Sequence, residues 1–282
     1  MVGVILPAAL LALAAAAAGT LASPELDELS GLAVSRADSS VLWGHNDTGG
    51  APVLYRIGTQ GEDLGAERVP GVTAGDWEDI AAFSEAGGPA LLIADTGDNF
   101  ALRSYATLYA VRDSGRSGAL KLLWKLDFRF PDGGHDCEAV AVDEQRNEIL
   151  LLTKRDRPPR LYRLPLTQTP PAGQQVAELV GEIAPLPWPA RKRDLFAHSP
   201  TALDVSADGL TAAIVTPHNA YVFHRRAGQP WIERFREPVV PRELPHRELD
   251  QIEAAALSPD GRWLTVGSEG LPAAWVRLPL SR

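Results

Sequence analysis

The chain has almost no cysteine, since Cys137 is the only one among 282 residues. An internal disulfide is therefore excluded, and the fold has to be stabilised by its buried core. We expect Cys137 itself to be a small, buried, apolar residue. It stands where Trp77 and Ile252 stand in two similar stretches of the sequence.

Positive charge is also scarce. Lysine and arginine number 27 against 36 aspartates and glutamates, which gives a formal net charge of −9. Nucleic acids and anionic membranes are bound mainly through an excess of lysine and arginine, so neither is an expected partner. The histidines show no His-x-His or His-Glu-x-x-His spacing, which argues against a zinc site. The partners left open are a small anionic ligand and another protein, and we expect a monomer.

Charge is absent altogether from residues 1–22, which are rich in alanine and leucine and lead into Ser23 through small residues. This pattern predicts a signal peptide cleaved after Ala22 or Gly19, followed by an exported (periplasmic or secreted) domain over residues 23–282. The start lacks the lysine or arginine of a usual signal peptide, and an uncleaved anchor is the alternative. No later stretch is long and apolar enough to cross a membrane.

Glycine and proline, in contrast, are plentiful, with 25 and 23 copies. At 45% hydrophobic residues, this composition favours short strands and tight turns over long helices. The segment Gly75-Asp-Trp-Glu-Asp-Ile-Ala81 leads from an acidic stretch into an apolar run, and four other segments resemble it. The aligned positions, about 50 to 60 residues apart, are Ser30, Glu78, Glu138, Thr201 and Glu253.

Each repeat continues with an apolar run, a turn such as Asp208-Gly or Asp260-Gly, a second apolar run, a polar loop and a third run. Fourth strands are expected near 122–130 and 176–183. Repeated groups of four antiparallel strands predict an all-β fold, a five-bladed β-propeller of four-stranded antiparallel blades. Six blades and a β-sandwich are the alternatives. The last repeat stops after its third strand, so we expect residues before Glu28 to supply its outer strand.

Four short motifs recur around these junctions. They are Glu28-Leu-Ser-Gly-Leu-Ala33, Asp76-Trp-Glu-Asp-Ile-Ala81, Asp136-Cys-Glu-Ala139 and Asp95-Thr-Gly-Asp-Asn99. In these motifs the chain resembles exported bacterial β-propellers related to the SdiA-regulated proteins and to phytase-like and esterase-like propellers. The resemblance covers nearly all of residues 23–282. It implies a five- or six-bladed propeller, often with bound calcium, and no established reaction.

The propeller topology also predicts where a site lies. Loops that precede the first strand and follow the second strand of every blade meet at one mouth of the central channel. Carboxylates are concentrated in those loops, and partly buried like charges repel one another strongly. A Ca²⁺ ion, which takes about six to eight oxygen ligands, removes that repulsion and suits these donors better than Mg²⁺ or Zn²⁺. The predicted ligands are Glu78, Asp95, Glu138, Glu253, Asp76, Asp98 and Asn99.

Each of these side chains also has a structural alternative, as a turn cap or as an acceptor of backbone hydrogen bonds from the neighbouring blade. Lys154 and Arg155 replace the acidic loop in the third repeat and predict contacts with a phosphate or carboxylate, a solvated loop being the alternative. His135 and Asp47 are candidate general bases, although His135 also fits an ordinary surface loop. The predicted substrate-binding residues are His45, Asn46, Lys154, Arg155 and Glu269.

Three functions are compatible with this pattern. The preferred one is an exported, calcium-binding propeller with a ligand- or partner-binding site at the top of the channel and no assured catalysis. The second is a metal-dependent hydrolase of a phosphate ester, ester or lactone, in which the cation polarises the scissile group. The third is a protein-interaction scaffold, a common role of this architecture.

Overall fold

A computed structural model of the chain describes residues 17–47, 49–118, 120–187, 196–245, 249 and 251–280. This part of the chain is almost entirely β-structure, with one short helix, α1 (Trp231–Phe235). Its strands form five sheets, and neighbouring strands run antiparallel in all but one pair. The structure therefore confirms the predicted five-bladed β-propeller.

The blades follow one another along the chain, and each begins with its innermost strand. Blade 1 contains β2 (Leu29–Val34), β3 (Val41–Asn46), β4 (Val53–Gly58) and β5 (Asp63–Arg68). Blade 2 contains β6 (Trp77–Glu85), β7 (Gly88–Asp95), β8 (Ala106–Arg112) and β9 (Leu122–Arg129). Blade 3 contains β10 (Ala139–Asp143), β11 (Glu148–Leu152), β12 (Arg160–Pro165) and β14 (Glu178–Glu182). Blade 4 contains β15 (Ala202–Val205), β16 (Thr211–Val215), β17 (Asn219–His224) and β18 (Arg242–Glu243).

Blade 5 is completed by both ends of the described chain. Its inner three strands are β19 (Ile252–Leu257), β20 (Trp263–Ser268) and β21 (Ala274–Pro279). The outer strand is β1 (Ala17–Thr20), which pairs antiparallel with β21 and places Gly19 opposite Trp275. The remaining strand, β13 (Gln175–Val176), adds to the outer edge of blade 2 in parallel with β9. Residues ahead of Glu28 thus supply the missing strand, as predicted.

The inner strands form a closed ring. The strands β2, β6, β10, β15 and β19 contact one another in that order, and β19 in turn contacts β2. The six-bladed and sandwich alternatives are therefore wrong. The predicted fourth strands near 122–130 and 176–183 are confirmed as β9 and β14.

The core lies between the blades. Five buried clusters occur in the described residues, each drawn from two adjacent sheets. Strand β10 shows why: Val140 and Val142 pack towards blade 2, whereas Ala139 and Ala141 pack towards blade 4. Because both faces of a radial sheet are covered, its inner strand is apolar at consecutive positions and does not alternate with polar residues.

Two buried carboxylates accept hydrogen bonds from backbone amides of the inner strands, at the strand edges that face the channel. Asp79 accepts hydrogen bonds from the amides of Val140 at 2.8 Å and Leu203 at 3.2 Å, and so joins three blades. Asp204 accepts a hydrogen bond from the Leu257 amide at 2.8 Å. Unpaired strand edges require such partners when they are buried.

The N-terminal predictions fall largely outside this description. Residues 1–16 of the predicted signal peptide are not among the described residues, and the predicted cleavage points after Gly19 and Ala22 lie in or just after β1. Among the described residues, no helix has the length and apolarity needed to span a bilayer.

Candidate functional site at the channel mouth

Three of the five aligned positions are β-bulges in an inner strand. The register shifts around Ser30 in β2, around Glu78 in β6 and around Glu253 in β19. The other two, Glu138 and Thr201, directly precede β10 and β15. A bulged residue is released from the ladder and its side chain is re-aimed, which turns these positions away from the blade-to-blade core. At three of the five aligned positions, the repeat seen in the sequence is thus also a repeat in backbone geometry.

The bulge at Glu78 belongs to an acidic cluster built by three blades. The ligand atoms of Asp47, Asp76 and Glu78 all lie within 4.8 Å of one another, and so do those of Glu78, Asp136 and Glu138. Glu78, Asp136 and Glu138 are buried, while Asp47 and Asp76 are half-buried. We call these five residues the acidic cluster, and Glu78 is the member common to both triads.

Burial and mutual repulsion raise the pKa values of the two glutamates. The pKa of Glu78 lies well above its usual value because the group is buried and faces Glu138, Asp47, Asp76 and Asp136. The pKa of Glu138 is raised to about 8 by burial, with Asp136 and Glu253 adding to the effect and Lys154 opposing it. At neutral pH the cluster therefore favours a proton or another cation over a full set of charges.

The protein itself supplies one positive charge to the acidic cluster, the ammonium group of Lys154. The Lys154 ammonium contacts the Glu138 carboxylate and lies 3.9 Å from Glu253. Burial lowers the pKa of Lys154, but Glu138 and Glu253 outweigh burial and raise it overall. In the described part of the chain, Glu78 makes no ion pair with a lysine or arginine. Because Arg155 also pairs with Asp136, a further positive charge is best accommodated beside Glu78.

Arg155 supports the cluster from its outer side. Its Nε donates to Asp136 at 2.5 Å, and its terminal nitrogen donates to Asn99. The Asp98 amide donates to the other oxygen of Asp136 at 3.0 Å. The two residues predicted to bind an anionic substrate, Lys154 and Arg155, thus contact carboxylates of the protein.

Two of the predicted ligands instead shape the loop that follows β7. Asp95 accepts from the amides of Gly75 at 3.0 Å and Asp76 at 3.2 Å, and it pairs with Arg103 at 2.8 Å. Asp98 accepts from the amides of Leu102 at 2.7 Å and Arg103 at 2.9 Å. Neither carboxylate belongs to the acidic triads.

Glu253 and Glu269 form a second acidic pair, in blade 5. Burial raises the pKa of Glu269 to about 8, and Glu253 adds to the rise through its charge and a hydrogen bond. Through Lys154, Glu253 is linked to the acidic cluster, although it belongs to neither triad.

His45 and Asn46 are the last two residues of strand β3 in blade 1, and neighbouring residues hold both side chains. The His45 ring is fully buried, its Nδ1 lies 3.0 Å from the Asn46 carbonyl oxygen, and burial lowers its pKa to about 4. A Cβ at Gly31 would overlap this ring, so glycine is required there. The Asn46 side chain donates to the Glu25 carbonyl at 2.7 Å.

The two candidate general bases are in different places. Asp47 belongs to the acidic cluster. His135 lies in a separate polar group, with Nδ1 2.9 Å from Asp156 and Nε2 3.1 Å from Asp132 and 3.0 Å from the Tyr162 hydroxyl.

The metal ligands predicted from the sequence do not include Asp136, and Asp47 is predicted only as a general base, whereas both belong to the acidic cluster. A signal for Asp136 was present, because Asp76-x-Glu78 and Asp136-x-Glu138 share one spacing at aligned positions. For Asp47 no repeat signal exists, since it follows β3 in a loop whose length differs among the blades.

Comparisons with known proteins found only distant similarity, to solved structures. No family model and no curated protein matches the chain. Among solved structures, a gluconolactonase of Xanthomonas campestris matches with 12% identity over 89% of this chain and 72% of its own, at a TM-score of 0.45. A chain of the nidogen/laminin complex matches with 13% identity over 86% and 73%, at a TM-score of 0.46. The assignment of the β-propeller fold rests on the strand order of the chain itself.

Proposed function

We propose that the acidic cluster binds a divalent cation, Ca²⁺, at the mouth of the channel, and that the cation in turn helps to hold an oxygen-rich ligand. The observation that carries the proposal is the convergence of five carboxylates from three blades, with Glu78 common to both triads. Export of the protein remains part of the proposal, on the strength of residues 1–22.

The donor set fits a hard cation. All five groups offer carboxylate oxygens, which Ca²⁺ prefers, and none is a histidine or cysteine of the kind that zinc sites use. The one cysteine, Cys137, is fully buried, and burial raises the pKa of its thiol well above the usual value. Within the cluster Glu78, Asp76 and Asp47 would hold the ion, while Lys154 continues to neutralise Glu138.

A thermal-shift measurement with Ca²⁺ and with EDTA tests this proposal. We expect Ca²⁺ to raise the Tm of the wild-type protein, since a ligand at about 100 times its Kd stabilises the folded state by about 2.7 kcal/mol. Glu78→Gln should remove most of this shift. In EDTA the variant should be at least as stable as wild type, because it removes a buried carboxylate from among like charges.

Glu178→Gln is the matched control. Glu178 is exposed on the outer strand β14 and pairs with Arg163, so this variant should keep the full Ca²⁺ shift. The proposal would be contradicted if Ca²⁺ did not change the Tm of the wild-type protein, or if the Ca²⁺-induced Tm shift of Glu78→Gln were as large as that of wild type.

A metal-dependent hydrolase is the second candidate. The observation that favours it is that two groups able to carry a proton, Glu138 and Lys154, lie in contact at the edge of the acidic cluster. A bound cation would supply Lewis acidity for a phosphate ester, ester or lactone. In this candidate Asp47 accepts a proton, whereas His135 interacts with Asp132 and Asp156.

Turnover separates the two candidates. The hydrolase requires Ca²⁺-dependent hydrolysis of p-nitrophenyl phosphate, p-nitrophenyl acetate or a simple lactone, and loss of that rate in Lys154→Met. If Ca²⁺ raises the Tm but none of these compounds is hydrolysed, the result supports the Ca²⁺-binding proposal and rejects the hydrolase.

A further inference from the structure

A second feature of the top face lies outside the acidic cluster. It is a cavity of about 180 Å³ between the loop that follows β7 and the loop that follows β9. At about 30 Å³ per water molecule, it has room for about six waters or for a small organic molecule. It is lined by Thr96, Asp98, Arg103, Ser104, Tyr105, Ala106, Arg129, Phe130, Gly133, Gly134 and His135.

The cavity is separated from the acidic cluster by one turn of backbone. Thr96 and Asp98 line the cavity, and between them Gly97 packs so closely on Glu78 and Asp76 that a Cβ would overlap both carboxylates. Arg103 holds this backbone from the cavity side by donating to the Gly97 carbonyl at 2.9 Å. The two sites are therefore neighbours, but each has its own lining residues.

Two arginines give the cavity positive character. Arg103 is partly engaged by Asp95, at 2.8 Å, and about a third of its side chain is exposed (31%). Arg129 is exposed and makes no ion pair with a described residue. The one hydrogen bond from its guanidinium to a described residue is a long contact of 3.4 Å with the Phe130 carbonyl. A guanidinium with unused donors beside a cavity is suited to a carboxylate, which it binds through two parallel hydrogen bonds.

The acidic and basic neighbours of the cavity are already engaged. Asp98 accepts the amides of Leu102 and Arg103 through both of its oxygens. His135 interacts with Asp132 and Asp156. Arg129 is thus the charged group of the lining that is left for a ligand.

Part of the wall and part of the rim are apolar. Phe130 and Ala106 are buried in the wall, and Tyr105 is 47% exposed at the mouth. Phe100 and Leu102, in the same loop as Tyr105, are 83% and 82% exposed. Asp98 fixes the backbone of this loop by accepting hydrogen bonds from the amides of Leu102 and Arg103. The exposed side chains of Phe100 and Leu102 therefore belong to an ordered loop.

We propose that this cavity binds a small carboxylate that carries an aromatic or short aliphatic group, with the carboxylate at Arg129 and the apolar group against Phe130 and Tyr105. The ligand is expected to be small, with about six to ten non-hydrogen atoms, given the volume of the cavity. The proposal is independent of the Ca²⁺ site, because none of the five residues of the acidic cluster lines the cavity.

The test uses benzoate as the probe, with the full-length protein in EDTA and binding followed by ligand-observed NMR titration. Benzoate should bind, and acetate (charge without a ring) and benzamide (ring without charge) should each bind at least about tenfold more weakly. Arg129→Gln should weaken benzoate binding by about tenfold, and Arg129→Lys should restore part of the loss.

Arg262→Gln is the matched control, because Arg262 is an exposed arginine in the turn between β19 and β20 and contacts Asp260. Its benzoate affinity should equal that of wild type. Absence of benzoate binding, equal binding by benzamide, or an Arg129→Gln variant with a wild-type Tm and undiminished affinity would overturn the proposal.

The outcome is separable from that of the proposed function. Benzoate binding in EDTA that depends on Arg129 supports the cavity even if Ca²⁺ causes no thermal shift. Conversely, a Ca²⁺ shift that persists in Arg129→Gln, without benzoate binding in wild type, supports the acidic cluster and rejects the cavity.

Discussion

Several buried or half-buried carboxyl groups of this protein have pKa values above their ordinary range. Glu138 and Glu269 both have pKa values raised to about 8, and burial is the main cause for each. The same cause raises the pKa of Asp204 to about 6 and that of Asp79 well above its ordinary value. All of these groups lie in or near the channel, so the channel as a whole responds to pH.

This response has a defined sign. A carboxyl whose pKa is higher in the folded than in the unfolded protein stabilises the fold fully below its unfolded pKa, and that contribution is lost as the pH rises through the folded value. For Glu138 and Glu269 the ordinary value is 4.5 and the folded value about 8. In EDTA we expect Tm to fall between about pH 5 and about pH 8. Glu269→Gln should flatten the curve, whereas a Tm that rises throughout would contradict the assignment.

The Ca²⁺ shift should change with pH in the opposite direction. Protons and Ca²⁺ compete for the same oxygens, so the shift should grow as the pH rises through the folded pKa values of the cluster. Thermal melts with Ca²⁺ and EDTA over the same pH series measure this. A shift that is constant across the series would place the ion at other carboxylates.

At this scale the sequence could predict the acidic cluster only in part. The repeated Asp-x-Glu spacing brings Asp76, Glu78, Asp136 and Glu138 to aligned positions, and alignment is enough when blades are arranged in a ring. The pairing of Lys154 with Glu138 depends on how far a long side chain reaches from the loop after β11, and no spacing encodes that reach. For the same reason the cavity arginines, Arg103 and Arg129, were not anticipated.

Between elements, a fully buried ion pair joins blades 3 and 4. Arg225, directly after β17, donates to both oxygens of Asp143 at the end of β10, at 2.6 and 2.7 Å. Its guanidinium also donates to the Gly209 carbonyl and lies 4.3 Å from the centre of the Trp231 ring. Such a pair is costly to break because the remaining charge stays buried.

Asp143→Asn tests this link. We expect it to lower the free energy of unfolding by about 3–5 kcal/mol, as measured by urea denaturation, because Arg225 loses its counter-charge in a dry environment. Lys125→Gln is the control, since Lys125 and Asp127 form an exposed pair on the outer strand β9, where the expected change is within about 1 kcal/mol. Equal effects of the two variants would show that the Asp143 site is solvated.

The elements themselves followed well from the sequence. Antiparallel blades are built from strands that are neighbours in the chain, so local turns and apolar runs are sufficient to predict them. The helix α1 was not expected, because five residues are too few to show a helical period. The strands β13 and β18 were not expected either, because two residues are too few to show an alternating pattern. In addition, β13 follows strand β12 of blade 3 in the sequence but pairs with β9 of blade 2.

For the whole molecule, ring closure depends on residues near the N-terminus. Besides the pairing of β1 with β21, Leu21 is buried, and its amide donates to the Ala273 carbonyl at 2.7 Å. A chain that begins at Ser23 should therefore be less stable than one that begins at Ala17, by about 2–4 kcal/mol in urea denaturation. Leu21→Ala in the longer chain should reproduce part of the loss. Equal stability of the two chains would show that β1 contributes nothing to closure.

The pairing of β1 with β21, which closes the ring, has a consequence for the assembly of the protein. In blades 1 to 4 the four main strands come from contiguous sequence, whereas blade 5 unites segments from opposite extremes of the described polypeptide. A fragment that lacks β1 leaves the edge of β21 exposed, and a fragment that lacks β21 leaves the edge of β20 exposed. An unpaired strand edge of either kind is a template for a second chain. Partially made or nicked copies of this protein are therefore the ones at risk of joining to one another, through the very strand that completes the ring in an intact copy.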